Sequence, residues 1–562
     1  MEPLLEIKQL SIRFPHAGGF HTAVNNISFA IPKGSITAVV GESGSGKSVT
    51  ALSLLQLLPK SAVINGLIQF RDKEPATSLQ SLSVDQITNI RGKSISMIFQ
   101  EPMTSLNPLM TCGRQVDEIF QQHNYLSKKE AREKTLAIFQ EVELRDPEKT
   151  YRSYPHEISG GQKQRVMIAM AIACRPLLLI ADEPTTALDV RVQKSIMLLL
   201  KKIQQKNGMS ILLITHDLGI VSDFADEVVV MYKGDIVETG KADTVLRHPV
   251  HAYTKGLLAC RPRPEMKGKR LPILSDFLPN NKEKELTVAD VSEQSPANKN
   301  SSPVIKVENL YVHFPLTKNF WGKTTSYHKA VDNVSFSVMQ GETLGIVGES
   351  GCGKTTLGKA LLGLVTPTSG KIIIQGKEIT GNAIKPLTTN ARDMQIVFQD
   401  PYGSLNPRIT IGEAIGEPMK VHQLFPKAGE RKEKTMDLLR SVGLSSDQFY
   451  KYPHQFSGGQ RQRICIARSL ALSPSMLVFD ESVSALDVSV QAQVLNLIQE
   501  LKEQHGFTYL FISHDLSVVH HISDRILVMQ AGGIVEQGDA SDVFFRPKEA
   551  YTRELLSAIP GK

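Results

Sequence analysis

This chain of 562 residues has few cysteines, no long apolar run and no early segment that resembles a signal peptide. Its five cysteines are dispersed and include no Cys-x-x-Cys pair, which argues against a disulfide framework and against a cysteine-ligated zinc site. No apolar run approaches the ~20 residues that cross a bilayer. The first six residues include two acids, so they do not resemble a signal peptide. We therefore expect any membrane role to depend on a partner.

The excess of positive charge is also small, at +7. Basic residues do gather between 255 and 270, and such a cluster can bind nucleic acid or anionic lipid. A solvated surface is the preferred interpretation of this cluster, so no nucleic-acid partner is expected. The chain is too long for one core, and at least two domains are expected.

A glycine-rich octapeptide, present twice, organises the rest of the sequence. Each copy follows a short apolar run and precedes a helix-like segment, which is the context of a phosphate-binding loop. Glycines let backbone N–H groups turn toward an anion, and the helix N-terminus adds its dipole. The copies are Gly41, Glu42, Ser43, Gly44, Ser45, Gly46, Lys47 and Ser48, and Gly348, Glu349, Ser350, Gly351, Cys352, Gly353, Lys354 and Thr355.

Two side chains of each loop have predicted roles in binding a nucleotide. Lys47 and Lys354 can reach the β- and γ-phosphates. The hydroxyls of Ser48 and Thr355 can ligate Mg²⁺. The sequence therefore predicts two sites for a nucleotide with Mg²⁺.

The two loops belong to an internal repeat whose copies open at residues 4–14 and 304–314. Both segments alternate apolar and polar residues, as a half-exposed strand does. Phe14 and Phe314 end these segments and could stack on a purine, but closing the core beneath the strand explains them equally well. The rival stacking residues are Phe20 and Tyr327.

Two apolar runs, 177–181 and 476–479, end in adjacent acids. The first acid of each pair can hold Mg²⁺ through water, and the second can polarise or deprotonate an attacking water. Burying such a pair is costly without a cation or hydrogen bonds. In each copy one strand ends in a glutamine, which can sense Mg²⁺-bound water, and another strand ends in a histidine. These candidate metal-binding and catalytic residues are Gln100, Asp182, Glu183 and His216, and Gln399, Asp480, Glu481 and His514.

A Ser-Gly-Gly-Gln turn precedes each acid pair. It can present free N–H groups and a hydroxyl to an anion, whereas a bare helix cap is the structural alternative. The serine stands 23 residues before the aspartate in both copies, and the histidine stands 34 residues after it. One fold is therefore expected from the turn to the histidine. The turns comprise Ser159, Gly160, Gly161 and Gln162, and Ser457, Gly458, Gly459 and Gln460.

Together these motifs resemble those of the ABC ATPase family: Walker A, Q-loop, signature, Walker B with its glutamate, D-loop and H-loop, each present twice. The resemblance implies an α/β fold of two tandem P-loop NTPase domains. Each would have a RecA-like core, an antiparallel β subdomain and a helical subdomain. The expected domains are 1–260 and 304–562, joined by a flexible linker at 261–303 that is rich in Asn, Lys, Glu, Ser and Pro. Its more apolar part, 271–278, could dock on the first domain.

Within that family the sequence resembles the ATP-binding subunits of oligopeptide, dipeptide and nickel importers. The fusion of two ATPases into one chain is similar to the Yej (microcin C) type. Gly-Glu-Ser-Gly in both loops, Ser-Leu-Asn-Pro after both glutamines and Tyr-Pro-His before both signatures carry this resemblance, with the tail segments 248–254 and 546–552. Many members have a cysteine-rich iron–sulfur segment after the tail. This chain has only Cys260 there, so no cluster is expected.

The resemblance implies an ATPase that converts ATP and water to ADP and phosphate and drives uptake of peptides or peptide-like compounds. Two ATP would bind between the halves, each facing the signature of the other half. The expected partners are two integral permease subunits and, indirectly, a periplasmic or extracellular binding protein, at the cytoplasmic face of the inner membrane. The alternative is a soluble tandem ABC ATPase acting on ribosomes or nucleic acid. An exporter ATPase is less favoured, because exporters commonly have Glu-Arg-Gly before the signature.

The surface that receives the membrane partner is expected beside the two glutamines, on residues 101–120 and 400–418. Apolar side chains there could form a groove for a short helix. The alternative is that they cap the core of the helical subdomain. They are Met103, Leu106, Leu109, Met110, Tyr402, Leu405 and Ile409.

Overall fold

The computed structural model describes residues 3–16, 18–72, 74–100, 105–185, 188–278, 303–318, 324–379 and 390–561. These residues form two compact units. Among them, unit 1 comprises residues 3–258, 274–278 and 560–561, and unit 2 comprises 259–273 and 303–559. Each unit contains one copy of the sequence repeat.

The first repeat has the following elements in chain order. Its strands are β1 (Pro3–His16), β2 (Gly19–Pro32), β3 (Ile36–Val40), β4 (Val63–Phe70), β5 (Thr77–Ser78), β6 (Ile95–Ile98), β7 (Leu178–Asp182), β8 (Ser210–Thr215), β9 (Glu227–Tyr232) and β10 (Asp235–Lys241). Its helices are α1 (Lys47–Leu54), α2 (Val84–Ile90), α3 (Cys112–Asn124), α4 (Lys128–Glu141), α5 (Pro147–Arg152), α6 (Gly160–Ile172), α7 (Val190–Asn207), α8 (Leu218–Phe224), α9 (Ala242–Arg247) and α10 (Ala252–Ala259).

The second repeat follows the same order. Its strands are β11 (Ile305–Lys318), β12 (Thr324–Val338), β13 (Thr343–Val347), β14 (Ser369–Ile374), β15 (Lys377–Glu378), β16 (Met394–Val397), β17 (Met476–Asp480), β18 (Thr508–Ile512), β19 (Arg525–Gln530) and β20 (Gly533–Asp539). Its helices are α11 (Lys354–Leu361), α12 (Asn390–Asp393), α13 (Pro401–Ser404), α14 (Ile411–Val421), α15 (Ala428–Ser441), α16 (Gly458–Leu470), α17 (Val488–His505), α18 (Leu516–Ile522), α19 (Ala540–Phe545) and α20 (Ala550–Ser557).

Each repeat has two sheets, which confirms the predicted α/β core and antiparallel β subdomain. The core sheets have the orders β10-β9-β3-β8-β7-β6 and β16-β17-β18-β13-β19-β20. Only the pair at the β10 or β20 edge is antiparallel in them. The smaller antiparallel sheets have the orders β2-β1-β4-β5 and β12-β11-β14-β15.

The central strands explain why the acids lie where they do. Every residue of β3, β7 and β8 is buried, as expected for parallel strands covered on both faces. Because these strands are neighbours and run parallel, their carboxyl ends meet at one edge of the sheet. Ligands bind at this edge in open α/β sheets, and both the glycine-rich loop and the acid pair begin there.

The helical subdomain of the first repeat consists of α3, α4 and α5. Ser127 and Glu130 form the predicted capping box, with the Ser127 N–H donating to Glu130 Oε2 at 2.9 Å. Buried Asp117 accepts from Thr135 Oγ1 at 2.6 Å and from Tyr151 Oη at 2.5 Å, which ties the three helices together. No helix in the described part of the chain is long and apolar enough to cross a membrane.

Residues 261–278, expected at the start of the linker, belong to the folded units. Leu271 is fully buried in unit 2 and hydrogen-bonds to Asn496, so the expected docking on the first domain does not apply to it. Leu274 does pack in unit 1, where a Cβ on Gly256 would lie 2.7 Å from its side chain. The remainder of the linker, 279–302, lies outside the described residues, and the domain boundaries at 260 and 303 stay predictions.

Candidate nucleotide-binding sites

Each glycine-rich loop connects a buried strand to a helix, β3 to α1 and β13 to α11. The Lys47 ammonium donates to the carbonyls of Gly41 and Glu42, both at 2.8 Å. Lys354 does the same with the carbonyls of Gly348 and Glu349, at 2.8 and 2.9 Å. The lysine is thus held across its own loop at the helix N-terminus, where backbone N–H groups and the helix dipole favour an anion.

The last glycine of each loop is required by geometry. Gly46 and Gly353 have φ of 101° and 105°, in the left-handed region. A Cβ at Gly46 would lie 2.6 Å from the Ala23 carbonyl oxygen, and one at Gly353 would lie 2.0 Å from that of Ala330. The backbone of β2 or β12, which lies against the loop, therefore excludes any side chain at this position.

The fold brings one hydroxyl and one aspartate together in each repeat. Ser48 Oγ donates to Asp182 Oδ1 at 3.1 Å, and Thr355 Oγ1 donates to Asp480 Oδ1 at 2.9 Å. Burial raises the pKa of Asp182 to about 6, and the charge of Glu183 adds to this while Ser48 opposes it. Burial likewise raises the pKa of Asp480. Such buried carboxylates are stabilised by a cation, so the donor set fits a hard divalent ion such as Mg²⁺.

The predicted catalytic residues of the first repeat lie side by side. Gln100 Nε2 donates to Glu183 Oε2 at 2.9 Å, and His216 Nδ1 lies 3.4 Å from Glu183 Oε1. Glu183 has a φ of 48°, an uncommon conformation for a residue with a side chain and one that concentrates at functional sites. The turn directs its carboxylate between the glutamine and the histidine.

The second repeat has the same arrangement. Gln399 Nε2 donates to Glu481 Oε2 at 3.0 Å, and His514 Nδ1 lies 3.6 Å from that oxygen. Glu481 also has a φ of 48°, and Lys354 Nζ lies 3.8 Å from its Oε1. Burial raises the pKa of Glu481, but His514 and Lys354 together outweigh burial and hold the pKa below its usual value. Glu481 is therefore ionised at neutral pH, as a proton acceptor must be.

The Ser-Gly-Gly-Gln turns open α6 and α16 and form the helix cap that was the structural alternative. Ser159 Oγ accepts from the Gln162 N–H at 3.3 Å, and Gln162 Oε1 accepts from the Ser159 N–H at 2.9 Å. Ser457 and Gln460 form the same pair at 3.4 and 3.1 Å. The cap and an anion-binding role are compatible, because both serines are exposed at a helix N-terminus.

The second glycine of each turn has a packing role. A Cβ on Gly161 would lie 2.8 Å from Val192 Cγ1, and one on Gly459 would lie 2.1 Å from Val490 Cγ1. The signature helix therefore packs directly on α7 or α17, and the glycine allows this contact. The first glycine meets no such obstacle, since Leu188 Cδ2 would lie 3.6 Å from a Cβ on Gly160.

The structure separates the candidate stacking aromatics. Phe14 packs against the core of the first unit, in line with the structural alternative, whereas Phe20 is 60% exposed. In the second unit Phe314 and Tyr327 are 40% and 55% exposed. Phe20 is therefore the better candidate in the first repeat, and both aromatics stay candidates in the second.

One pair of residues at these sites was missed by sequence reasoning. The Glu42 N–H donates to Tyr253 Oη at 3.0 Å, and the Glu349 N–H donates to Tyr551 Oη at 3.2 Å. Both tyrosines are buried and lie in the tail helices α10 and α20. The tail is thus hydrogen-bonded to the phosphate-binding loop. The repeated Ala-Tyr-Thr of the two tails was the available signal, but sequence spacing could not show what the tyrosine contacts.

The sequence matches two family models, each twice. The model described as "ABC transporter" matches residues 24–186 and 331–484. The model described as "Oligopeptide/dipeptide transporter, C-terminal region" matches residues 237–285 and 535–561. The second model therefore covers the tails in which Tyr253 and Tyr551 lie.

Known relatives match along nearly the whole chain. The chain is 45% identical over 566 residues to the glutathione import ATP-binding protein GsiA of Escherichia coli O6:H1, covering 99% of this chain and 89% of that protein. It is 44% identical over 565 residues to GsiA of Salmonella paratyphi A, with the same coverage. Among solved structures, cbiO1 from Clostridium perfringens has a TM-score of 0.38 and 27% identity over 43% of this chain and 91% of that one.

Whole-length relatives and two family models agree with the duplicated motifs and their geometry. The chain has two ATPase domains and is the ATP-binding, ATP-hydrolysing protein of an importer. It belongs to the ABC transporter family, in the oligopeptide/dipeptide importer branch.

Proposed function

We propose that the two repeats bind two ATP molecules, each held by the loop of one repeat and the signature of the other. The exposed helix N-termini capped by Ser159 and Ser457 support this arrangement, because the first N–H groups of a helix have no intrahelical partner and favour an anion. Site one comprises Lys47, Ser48, Gln100, Asp182, Glu183 and His216, with Ser457, Gly458, Gly459 and Gln460. Site two comprises Lys354, Thr355, Gln399, Asp480, Glu481 and His514, with Ser159, Gly160, Gly161 and Gln162.

Mg²⁺ fits the hydroxyl–aspartate pairs of both sites. Ser48 with Asp182, and Thr355 with Asp480, would hold it, and the carbonyl oxygen of Gln100 or Gln399 is left to accept from a bound water. The ion neutralises charge on the phosphates.

The chain's own residues carry out the proton transfer. A water attacks the γ-phosphorus, the bond from that phosphorus to the β–γ bridging oxygen breaks, and ADP and phosphate result. Glu481, ionised and oriented by Gln399 and His514, accepts a proton from the attacking water, and Glu183 has this role in the first repeat. Lys47 and Lys354 bind the transferred phosphoryl group as point charges.

Counting bound ATP in a Glu183→Gln/Glu481→Gln chain tests which signature completes which site. Lys47→Ala should reduce binding from two ATP per chain to one by removing site one. Adding Ser457→Arg should then change nothing, because Ser457 belongs to the site already lost. Adding Ser159→Arg instead should abolish the remaining tight binding. The opposite pattern, measured by equilibrium dialysis, would mean that each site is completed within its own repeat.

The transported compound is a peptide or peptide-like molecule, and glutathione is the first candidate because relatives 45% identical to this chain are named for glutathione import. The chain would act at the cytoplasmic face of the inner membrane on two permease subunits, with a substrate-binding protein outside. Labelled glutathione uptake should be lost when the gene is deleted and restored by the wild-type chain but not by Glu481→Gln. Unchanged uptake after deletion would require another cargo. No observation favours the soluble alternative, since the relatives are import proteins.

The membrane partner would contact the exposed part of the predicted surface beside the glutamines. Leu109 is 85% exposed and Tyr402 is 65% exposed. By contrast, Leu106 and Leu405 are each only 2% exposed and belong to the core, as the structural alternative expected. Residues 101–104, with Met103, lie outside the described residues. The surface is thus smaller than expected and centres on Leu109 and Tyr402.

A further inference from the structure

A short segment that follows the first repeat is bound in unit 2 by specific hydrogen bonds. We call residues 264–271 the anchor segment; it begins with the 3₁₀ turn Pro264–Met266 and ends at Leu271. The Leu271 N–H donates to Asn496 Oδ1 at 2.8 Å, and Asn496 Nδ2 donates back to the Leu271 carbonyl at 2.9 Å. Asn496 is a residue of α17, so this side chain satisfies both backbone groups of Leu271.

Further contacts hold the middle of the anchor segment. The Gly268 N–H donates to the His521 carbonyl at 3.2 Å, and Gln499 Nε2 donates to the Gly268 carbonyl at 2.7 Å. Lys267 Nζ donates to Ser541 Oγ at 3.1 Å and lies 4.0 Å from Asp539 Oδ1. Both backbone groups of Gly268 are therefore bound as well, by α17 and α18.

Burial distinguishes these contacts from a chance surface encounter. Leu271 is 0% exposed and Asn496 is 7% exposed. A buried backbone group that loses its hydrogen-bond partner pays its full desolvation cost, so Asn496 matters more to this segment than an exposed hydrogen-bond partner would. Burial raises the pKa of Glu500 on α17, and the charge of Arg270 in the anchor segment partly opposes this rise.

The first repeat cannot offer the same binding surface. With the offset of 298 residues that relates Asp182 to Asp480, Leu198 stands where Asn496 does, and Lys201 stands where Gln499 does. Leu198 has no hydrogen-bonding group and is 52% exposed. The surface that binds the anchor segment is therefore particular to the second repeat.

We propose that the anchor segment is an intrachain docking peptide that keeps the end of the first repeat attached to the second repeat, with or without nucleotide. Its partner is the surface made by Asn496, Gln499 and the His521 carbonyl. The function of this attachment is to keep the two ATPase repeats of one chain paired while ATP binding and hydrolysis open and close them. It goes beyond the proposed ATP sites and does not depend on them.

Hydrogen exchange in the full-length chain tests the docking. Amides of Gly268 and Leu271 should be protected equally in the absence of nucleotide and with MgATP. Asn496→Leu, which places the first repeat's residue in the second, should speed exchange at these amides ~30-fold, which corresponds to about 2 kcal/mol. Leu198→Asn is the matched control and should change nothing at 264–271. Gln499→Ala should speed exchange of the anchor amides by a smaller factor. This second variant shows that the effect does not come from a general disturbance of unit 2 by Asn496→Leu.

Cutting the chain tests the attachment itself. A protease recognition sequence is inserted within the linker segment 290–297, and cleavage is followed to completion on a denaturing gel. The two fragments of the cut wild-type chain should elute as one species without nucleotide. In the cut Asn496→Leu chain the dissociation constant of the two fragments should be ~30-fold higher, so they should separate at protein concentrations at which the wild-type fragments stay together. Fast exchange of the anchor amides, protection only with MgATP, separation of the cut wild-type chain, or an Asn496→Leu chain that stays joined as tightly would each overturn the proposal. None of these measurements uses ATPase activity or transport, so their failure leaves the proposed ATP sites standing.

Discussion

The two repeats are alike around the glutamate after β7 or β17, but they differ on the following helices, where the second repeat binds the anchor segment. In the first setting, the glutamate carboxylate lies 2.9–3.6 Å from the glutamine amide and from the histidine imidazole in both copies. In the second, Asn496 replaces Leu198, and His520 and His521 replace Ser222 and Asp223. Duplication has thus kept the chemistry twice, while the surface that binds the chain's own segment differs.

The helical subdomains teach the same lesson about packing. In the first, Asp117 is buried and accepts hydrogen bonds from Thr135 and Tyr151. At the corresponding positions of the second stand Gly416 and Phe449, and Phe449 packs so closely that a Cβ on Gly412 would lie 2.5 Å from its ring. The close contact of the ring with a helix glycine is common to both copies, because a Cβ on Gly113 would lie 2.1 Å from the Tyr151 ring. Gly416 and Phe449 have no side-chain polar group for the hydrogen bonds made by Asp117 and Tyr151, so the subdomains need a similar shape but not the same hydrogen bonds.

The largest effect is expected from the glutamates, because the two sites are alike in geometry. Glu183→Gln and Glu481→Gln should each lower the steady-state ATPase rate by ~100-fold or more, since each removes a general base. Both variants should still bind ATP. The measurement is phosphate release with purified chain at saturating MgATP.

Glu148→Gln provides the control for this pair, since Glu148 is an exposed residue of α5 paired with Arg132 of the helical subdomain. It should retain the wild-type rate. If one of the two catalytic variants kept a near wild-type rate while the other lost activity, the equivalence of the two repeats would be wrong.

A second test compares the surfaces beside the two glutamines. Leu109→Glu and Tyr402→Glu should each leave ATP binding intact but weaken binding of the membrane subunits at least ~10-fold, because a charge would enter an apolar contact. Tyr402 also lies under the Arg461 guanidinium at 3.7 Å, so its substitution should cost slightly more stability of the isolated chain. Co-purification with the membrane subunits and thermal unfolding of the isolated chain measure the two effects.

Leu316→Glu is a matched control, because Leu316 is also an exposed leucine, at 65%, but belongs to the antiparallel β subdomain. It should leave assembly unchanged. Unimpaired assembly of Leu109→Glu and Tyr402→Glu would move the contact surface elsewhere, and unfolding of the isolated variants would make these residues part of the core.

A smaller effect is expected from the tyrosines that hold the phosphate-binding loops. Tyr253→Phe and Tyr551→Phe each remove the acceptor for one loop N–H but keep the ring. We expect KM for ATP to rise ~3-fold with kcat nearly unchanged, since about 0.5–1.5 kcal/mol of loop positioning is lost. Tyr232→Phe, on the ring packed 4.2 Å from Tyr253, is the control and should leave KM unchanged. A fall in kcat at constant KM would assign the tyrosines another role.

The duplicated sequence predicted the fold and the grouping of site residues for a physical reason. The strand, turn and helix around Lys47 are local features of the sequence. Parallel strands place their carboxyl ends at the same edge of the sheet whatever side chains they carry. The buried carboxylates of Asp182 and Asp480 follow from the same logic. For Phe14 the sequence left stacking and core packing open, because an aromatic at the end of a strand satisfies both patterns.

Contacts between distant parts of the chain were not predictable in this way. The bond between Leu271 and Asn496 joins residues 225 positions apart, and neither residue is unusual in its own segment. The hydrogen bond of Tyr253 to the Glu42 N–H spans 211 positions. Sequence patterns report local periodicity, so such pairs appear only when the fold brings the segments together. The apolar residues Leu106 and Leu405 were ambiguous for the same reason.

Two adjacent histidines of α18 should make the second unit more sensitive to acid than the first. Burial lowers the pKa of His520 to about 4, and Lys267 and His521 add to this while Asp539 opposes it. Burial also lowers the pKa of His521 to about 4, and the Met266 backbone, which favours the protonated imidazole, opposes this only in part. Both imidazoles are therefore neutral in the folded chain at neutral pH.

The direction of the pH effect follows from proton uptake. In the unfolded chain these histidines bind protons as the pH falls through their ordinary pKa of 6.5, whereas in the folded chain they stay neutral until about pH 4. The stability that they contribute is therefore present above pH 6.5 and is lost between pH 6.5 and about 4. In that interval the unfolding temperature of unit 2 should fall by about 5 °C more than that of unit 1. A chain with His520→Ser and His521→Asn should lose this excess slope in calorimetry, even if its unfolding temperature at pH 7 changes, while the exposed His248→Asn should keep it. Parallel slopes of the two units in the wild-type chain would mean that these histidines are not a source of acid sensitivity.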